Sequence, residues 1–169
     1  AISVFLIVGT LVIYRQLQFI QGKDLGYSKE QVLVLNDVFT LGGQKNAFKE
    51  RVKSLSSVEN ATLSSYLPTP SNRSDNSYFE EGITDQEYAV QMQRWFVDYD
   101  YASTLDLTVV AGRDFNRDFP TDSLAMIINE SALAKMGQSA DEVLGKRFSS
   151  NIGDENAVFY TIVGVVKNF

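Results

Sequence analysis

The chemistry open to this chain rests on carboxylates, because the side chains that most often do such work are missing. Its 169 residues include no histidine and no cysteine. That removes the commonest general base, the Ser-His-Asp and Cys-His nucleophile systems, disulfides and thiolate metal sites. Asp98-Tyr99-Asp100 sets two carboxylates close together, and Asp106, Asp114, Asp118 and Asp122 follow. A divalent cation is one use for such a group, but the spacing lacks the glycine and the closing bidentate glutamate of an EF-hand loop. Acid and base work by two of them is another use, supported only by their abundance. Helix caps and solvated surface are the better reading. Gly112-Arg113-Asp114-Phe115 offers a guanidinium that could hold an anion in a turn, but a structural Arg–Asp clamp fixing a loop fits better. Lys135 and Lys146 fall at or just past predicted helix C-termini, where a cation complements the dipole. No P-loop, GxGxxG or zincin motif occurs, so neither a cofactor nor an ATPase is expected in the chain.

Composition narrows the class further. Apolar residues make up 44% and charged residues 21%, which is globular usage. The length suits one domain or two small intertwined subdomains. A net charge of -6 argues against a nucleic-acid binder and against a domain lying flat on anionic lipid.

The elements that must position these residues begin with an apolar run. AISVFLIVGTLVIY carries no charge and exits into Tyr14-Arg15-Gln16. Fourteen helical residues rise roughly 21 Å, less than the roughly 30 Å of a hydrocarbon core. A buried core helix would show a polar face, and a signal peptide would show a basic start and a small-residue cleavage site. The favoured reading is the end of a transmembrane helix whose beginning is cut away, with Tyr14 and Arg15 at the interface. Tyr14, Leu17 and Ile20 continue the helical spacing, so a stalk, or a simple linker, leads to Gly22 and the Asp24-Leu25-Gly26 turn.

Beyond it the pattern alternates. Ser28-Lys29-Glu30-Gln31 reads as a capped turn and Val32-Leu33-Val34-Leu35 as a fully buried strand. Residues 44–55 read as a helix with Phe48, Val52 and Leu55 on one face and Lys45, Lys49, Glu50 and Lys53 elsewhere. Residues 58–66 read as a second strand, making a βαβ or split-βαβ unit. Pro68, Pro70, Ser71, Asn72, Ser74, Asp75 and Asn76 mark a polar loop or subdomain boundary across 67–85. Further strands are expected at 90–97, 107–110, 124–128, 147–149 and 159–166. Asp98 or Asp100 is expected to cap a short helix through Leu105. Asn129 is the expected cap of a helix closed by Gly137, and Ser139 with Glu142 forms a capping box before Gly145.

Several stretches, taken in order, resemble a known family. They are Gln18-Phe19-Ile20, Lys23-Asp24-Leu25-Gly26-Tyr27, Val32-Leu33-Val34-Leu35, Gly112-Arg113-Asp114-Phe115, Ile127-Ile128-Asn129-Glu130, Leu144-Gly145-Lys146 and Ile162-Val163-Gly164-Val165-Val166-Lys167-Asn168-Phe169. Across essentially the whole chain they look like the periplasmic core domain of MacB/FtsX-type ABC transporter permeases. The resemblance implies an α+β fold: an N-terminal transmembrane and stalk helix, then a mixed α/β periplasmic domain. Residues 1–14 would end the span and 15–27 would form the stalk and turn. Residues 28–66 would be a first porter-like βαβ unit and 67–169 a strand-rich Sabre-like insert, with the family's domain continuing past Phe169. It also implies an inner-membrane location with the domain on the periplasmic side. The implied partners are a cytoplasmic ABC ATPase subunit or domain, a second permease copy, and an adaptor, lipoprotein or hydrolase. ATP-driven motion would pass through the stalk, with no catalytic residue, cofactor or metal in the chain. The residues that matter would be the stalk set Tyr14, Arg15, Leu17, Phe19 and Ile20. Beside them stands the structural set Gly112, Arg113, Asp114, Phe115, Gly145, Lys146 and Gly164. The rival expectations are a membrane-tethered, Cache-like sensory ectodomain, which needs a concave pocket with convergent polar groups, and a membrane-anchored enzyme, which needs two close carboxylates with opposed pKa shifts.

Overall fold

The computed structural model describes residues 2–22, 26–27, 31–68, 73 and 75–169. The apolar run forms α1 (Ile2–Gly22), 21 residues without a break. At 1.5 Å per residue that is roughly 31 Å, the thickness of a hydrocarbon core. Its window Ile2–Phe19 is long and apolar enough to cross a membrane, and none of it is buried. Thr10 returns its hydroxyl to the Leu6 carbonyl at 2.8 Å, so its polar group is satisfied within the helix. The helix is described as far as Gly22, the glycine expected near its end. Lys23-Asp24-Leu25, the capping residues Ser28-Lys29-Glu30, and Pro70, Ser71, Asn72 and Ser74 of the polar loop lie outside the described residues.

The next stretch departs from expectation. Val32-Leu33-Val34-Leu35 makes no strand pairing, and Leu33 is 82% exposed. A strand needs a neighbouring edge to bond to, and among the described residues none is offered to this segment. A 3-10 helix follows (Val38–Gln44), kinked at Gly42, whose φ of 52° and ψ of -124° suit only glycine. It leads into α2 (Lys45–Lys53), slightly shorter than the expected 44–55. The second expected strand, 58–66, is reduced to one bridge between Ser64 and Val97. Two bonds flank it: the Ser65 amide to the Phe96 carbonyl at 2.9 Å, and the Asp98 amide to the Leu63 carbonyl at 3.0 Å.

From residue 75 onward most of the expected elements form, with one correction. The elements are β1 (Asp75–Glu80), β2 (Val90–Gln93), α3 (Tyr101–Leu105), β3 (Val109–Gly112), β4 (Ala125–Asn129), α4 (Glu130–Met136), α5 (Ala140–Val143), β5 (Arg147–Ser149) and β6 (Tyr160–Val166). The correction is β1, which falls inside the stretch 67–85 read as a polar loop, because Tyr78 and Phe79 supply buried side chains that the surrounding polar residues mask. The fold is therefore mixed α+β, with one six-stranded sheet in the order β2-β1-β5-β6-β3 and β4 on β6. β6 is its axis. It takes β4 in parallel along one side, while β5 and β3 share the other side antiparallel. A strand flanked on both sides must be apolar nearly throughout. Accordingly Ile162, Gly164, Val165 and Val166 are all buried. They join Tyr78, Ile128, Ala132, Val143 and Phe148 in the core.

Local capping holds the helices at their predicted ends. Asn129 accepts from the Ala132 amide at 2.9 Å, and Gly137 closes α4 with φ 65°. The Ser139–Glu142 capping box is present. The cap expected of Asp100 is not made by its side chain, which is engaged elsewhere.

Candidate functional site

The motifs around Gly112, Ile127, Gly145 and Gly164 meet in space, whereas Val32-Leu33-Val34-Leu35 joins none of them. Gly112 (φ 69°) pairs across the ladder with Gly164, and the Arg113 amide donates to the Val163 carbonyl at 2.9 Å. The approach needs both glycines. A Cβ on Gly112 would lie 2.3 Å from the Val163 carbonyl oxygen, and one on Gly164 would lie 2.2 Å from that of Arg113. Gly145 and Lys146 join the same strand: the Gly145 amide donates to the Ile162 carbonyl at 2.8 Å, and the Ile162 amide donates to the Lys146 carbonyl at 2.9 Å. Lys146 Nζ reaches Glu80 at 2.9 Å on β1 and Lys135 Nζ reaches the Gln91 carbonyl at 2.9 Å. The ammonium groups of both lysines thus tie to β1 or β2, while the Lys146 amide donates to the Val143 carbonyl at the end of α5. Gly26 (φ 71°) lies against the backbone of Asn168, so the turn after α1 meets the end of the last motif.

Arg113 is the clamp that its motif suggested. Its Nη1 and Nη2 bind the two oxygens of Asp122, each at 2.6 Å, and Asp122 also accepts from the Asn116 amide at 2.8 Å. Asp122 is buried, and the Arg113 guanidinium holds its carboxyl below the ordinary range. Asp114 is shifted the opposite way. Burial pushes its carboxyl up, although it accepts from the Phe115 amide at 2.7 Å. The two acids therefore have opposed shifts, but both Asp122 oxygens are already bound to Arg113. The Arg113–Asp122 pair fixes the turn around Phe115.

Helical spacing sets Lys49 apart from the Phe48, Val52 and Leu55 face of α2, yet the structure buries it. Lys49 is 4% exposed, and its ammonium donates to Asp98 at 2.7 Å and Asp100 at 2.6 Å. Burial pulls its pKa down, but the hydrogen bonds to Asp100 and Asp98 outweigh that, and the net shift is upward. Asp98 further accepts from the Thr62 hydroxyl at 2.5 Å and the Leu63 amide at 3.1 Å. Asp100 also meets Lys53 at 3.4 Å and Arg117 at 2.9 Å. Asp98-Tyr99-Asp100 is thus a lysine receptor that ties α2 to the turn before α3. Among the described residues no group of three or more acidic side chains could hold a metal ion. The one signal for this joint was a lysine every fourth position on a short helix, facing an acidic pair of unknown position.

On α1 the stalk candidates stand free of the domain. Tyr14 is 58% exposed, Leu17 51% and Phe19 74%. Gln18 donates to the Tyr14 hydroxyl at 3.1 Å, and Arg15 lies beside Val12, Gln16 and Phe19 on one face. The Ile20 side chain is outside the described residues.

No family model and no curated protein sequence matches the chain. Among solved structures it is similar to a domain of a protein assigned as a permease from Porphyromonas gingivalis, at 22% identity and a TM-score of 0.42. That likeness covers 55% of this chain and 38% of the other. It is also similar to the periplasmic region of MacB from Actinobacillus actinomycetemcomitans, at 17% identity and a TM-score of 0.47, covering 73% of this chain and 50% of the other. The chain therefore spans half or less of the length of either. Both likenesses are distant, and they bring no substrate or partner to this chain.

Proposed function

We propose that the chain is part of the extracytoplasmic core domain of an ABC transporter permease, anchored in the inner membrane by α1, with its domain on the periplasmic side. On this reading residues 1–14 end the span and 15–27 form the stalk and its turn. Residues 28–66 are the first porter-like unit and 67–169 the Sabre-like insert. The observation that carries it is the continuity of α1 past Tyr14 and Arg15 to Gly22, with none of Ile2–Phe19 buried. The contact of Gly26 with Asn168 then joins the foot of this helix to the end of β6's motif. A helix without a break at the interface is stiff, and stiffness is what a lever needs.

The chain would do no catalysis of its own. A cytoplasmic ABC ATPase subunit or domain would drive it, and a second permease copy would pair with it. Export, lipoprotein transfer or activation of an envelope hydrolase would be the output. The test is a flexible Gly-Ser insertion after Ile20 in the whole protein. ATP hydrolysis should persist while transport falls; unchanged transport would sink the lever. A Cache-like sensor is the second reading, favoured only by the cavity described below. Three more hydrophobic spans after Phe169 argue for the permease, and a single span leading to a kinase or methyl-accepting region argues for the sensor.

A further inference from the structure

A cavity of about 510 Å³ lies between the β2 side of the sheet and β4 with α4, and most of its lining is apolar or aromatic. Volumes of this order suit a drug-sized ligand. Arg94 lines it, half-buried, with its guanidinium over the rings of Tyr78 at 5.9 Å, Phe96 at 5.0 Å and Tyr160 at 5.4 Å. Among the described residues Arg94 has no carboxylate partner and donates no hydrogen bond. A guanidinium carries five donors, and those of Arg94 reach solvent, open to an acceptor on a ligand. The Tyr78 hydroxyl is fully buried beside it and meets no acceptor in bonding geometry, although the Ser150 side chain lies near.

The charges around the cavity are not balanced. Of the carboxylates lining it, Asp98 is neutralised by Lys49 and Asp122 by Arg113, which leaves Asp114. Arg94 and Lys135 also line it, and neither has a carboxylate partner among the described residues. Among the lining residues one positive charge is left over, and the Arg73 guanidinium stands 4.4 Å over the Trp95 ring at the cavity's edge. A dianion would face Asp114 and the net charge of -6 of the chain, so the fit is to a single negative charge.

We infer that this cavity binds a monoanionic amphiphile, with its carboxylate on Arg94 and its apolar body along Met92, Trp95 and Met126. A planar fork of donors matches a carboxylate two bonds at a time, and the aromatic faces that hold the guanidinium keep it in position. The site does not depend on whether the chain serves a permease or a sensor.

Trp95 is the only tryptophan in the sequence and it lines the cavity, so it reports on the site alone. The probe is 11-bromoundecanoate, whose bromine quenches tryptophan, added to the whole chain in an uncharged detergent. Saturable quenching is expected, with 11-bromoundecanol and the 11-bromoundecyl trimethylammonium cation binding at least about tenfold more weakly. Arg94→Met, which keeps an apolar stem among the rings, should weaken the acid by at least about tenfold and leave the alcohol unchanged. Arg94→Lys should fall between, because it keeps the charge and loses the fork. It also serves as the test variant if Arg94→Met does not fold. Equal quenching by acid and alcohol, no saturation, or a folded Arg94 variant that binds the acid as the parent does would each overturn the assignment.

Discussion

Residues 31–66 and residues 75–169 are of similar apolar character, yet they fold by different means. In the second region nearly every apolar stretch has a sheet neighbour, and Ile162, Val165, Phe148 and Tyr78 are all but sealed. In the first, Val32, Leu33, Val34, Leu35, Phe39 and Leu55 stay exposed, and α2 is fastened through the Lys49 cluster. One region is held by burial, the other by charge. Burial is non-directional and forgiving of chemistry, whereas a charged joint depends on each partner being present.

The sharpest break in the buried region is Gly164→Ala. The added methyl would stand 2.2 Å from a backbone oxygen, which no side-chain rotamer can relieve. A loss of about 3 kcal/mol or more is expected, read from chemical denaturation. Gly112→Ala should follow it: the methyl would stand 2.3 Å from the Val163 carbonyl oxygen, and φ there, unlike at Gly164, is left-handed. Insensitivity at both positions would mean that the β3–β6 approach is not as close as described.

Arg113→Met comes next, because it leaves the Asp122 carboxylate buried without its partner. About 2–3 kcal/mol should be lost at neutral pH, discounted from a fully buried pair because Arg113 is itself 38% exposed. The sign with pH follows from the depressed carboxyl of Asp122. Its contribution is complete above the ordinary carboxylate pKa and is lost as pH falls through the lower, folded value. The difference between parent and variant should therefore shrink in acid. A gap that stays constant from pH 7 to the acid limb would count against the clamp.

Lys49→Met tests the charged region. Asp98 and Asp100 would then face each other without their shared cation, and about 2 kcal/mol should go, since both carboxylates keep some contact with water. Hydrogen exchange should rise in α2 before it rises in β6. Exchange that rises equally in both would show that α2 is not a separately fastened piece. At the smaller end, Asn129→Ala removes the α4 cap and should cost about 1 kcal/mol.

The same contrast explains what the sequence revealed. Caps, turns and the short strands after residue 90 are legible because each signal is local: Asn129 caps within three residues, and Ser139 reads Glu142. The strand β1 is not, because Asp75, Asn76 and Ser77 read as loop while Tyr78 and Phe79 are too short a run to show a strand. The Arg113 clamp was legible as a type, but its partner Asp122 was not, because nine residues of irregular turn separate them. The burial of Lys49 was not legible. Its partners lie 49 and 51 residues away. Helical periodicity cannot report that a polar face is turned toward an acidic pair. Val32-Leu33-Val34-Leu35 was read as buried from composition alone, and composition does not supply the neighbouring edge.

That last segment carries the smallest expected effect and the finest test of the comparison. Leu33 is 82% exposed, so Leu33→Ser removes little buried surface from the chain. The change should stay within about 0.5 kcal/mol, as at other exposed positions. Ile162→Ala, by contrast, empties a fully buried site and should cost about 3 kcal/mol. If Leu33→Ser instead approaches the Ile162 value, residues 32–35 are covered in solution, and the first region is also held by burial. If it stays near zero while Lys49→Met is costly, the joint at Asp98 and Asp100 is what holds the first region to the sheet. A sheet-forming segment left exposed is also a template for pairing between chains. Leu33→Ser should therefore lower self-association at high concentration even where it leaves stability untouched.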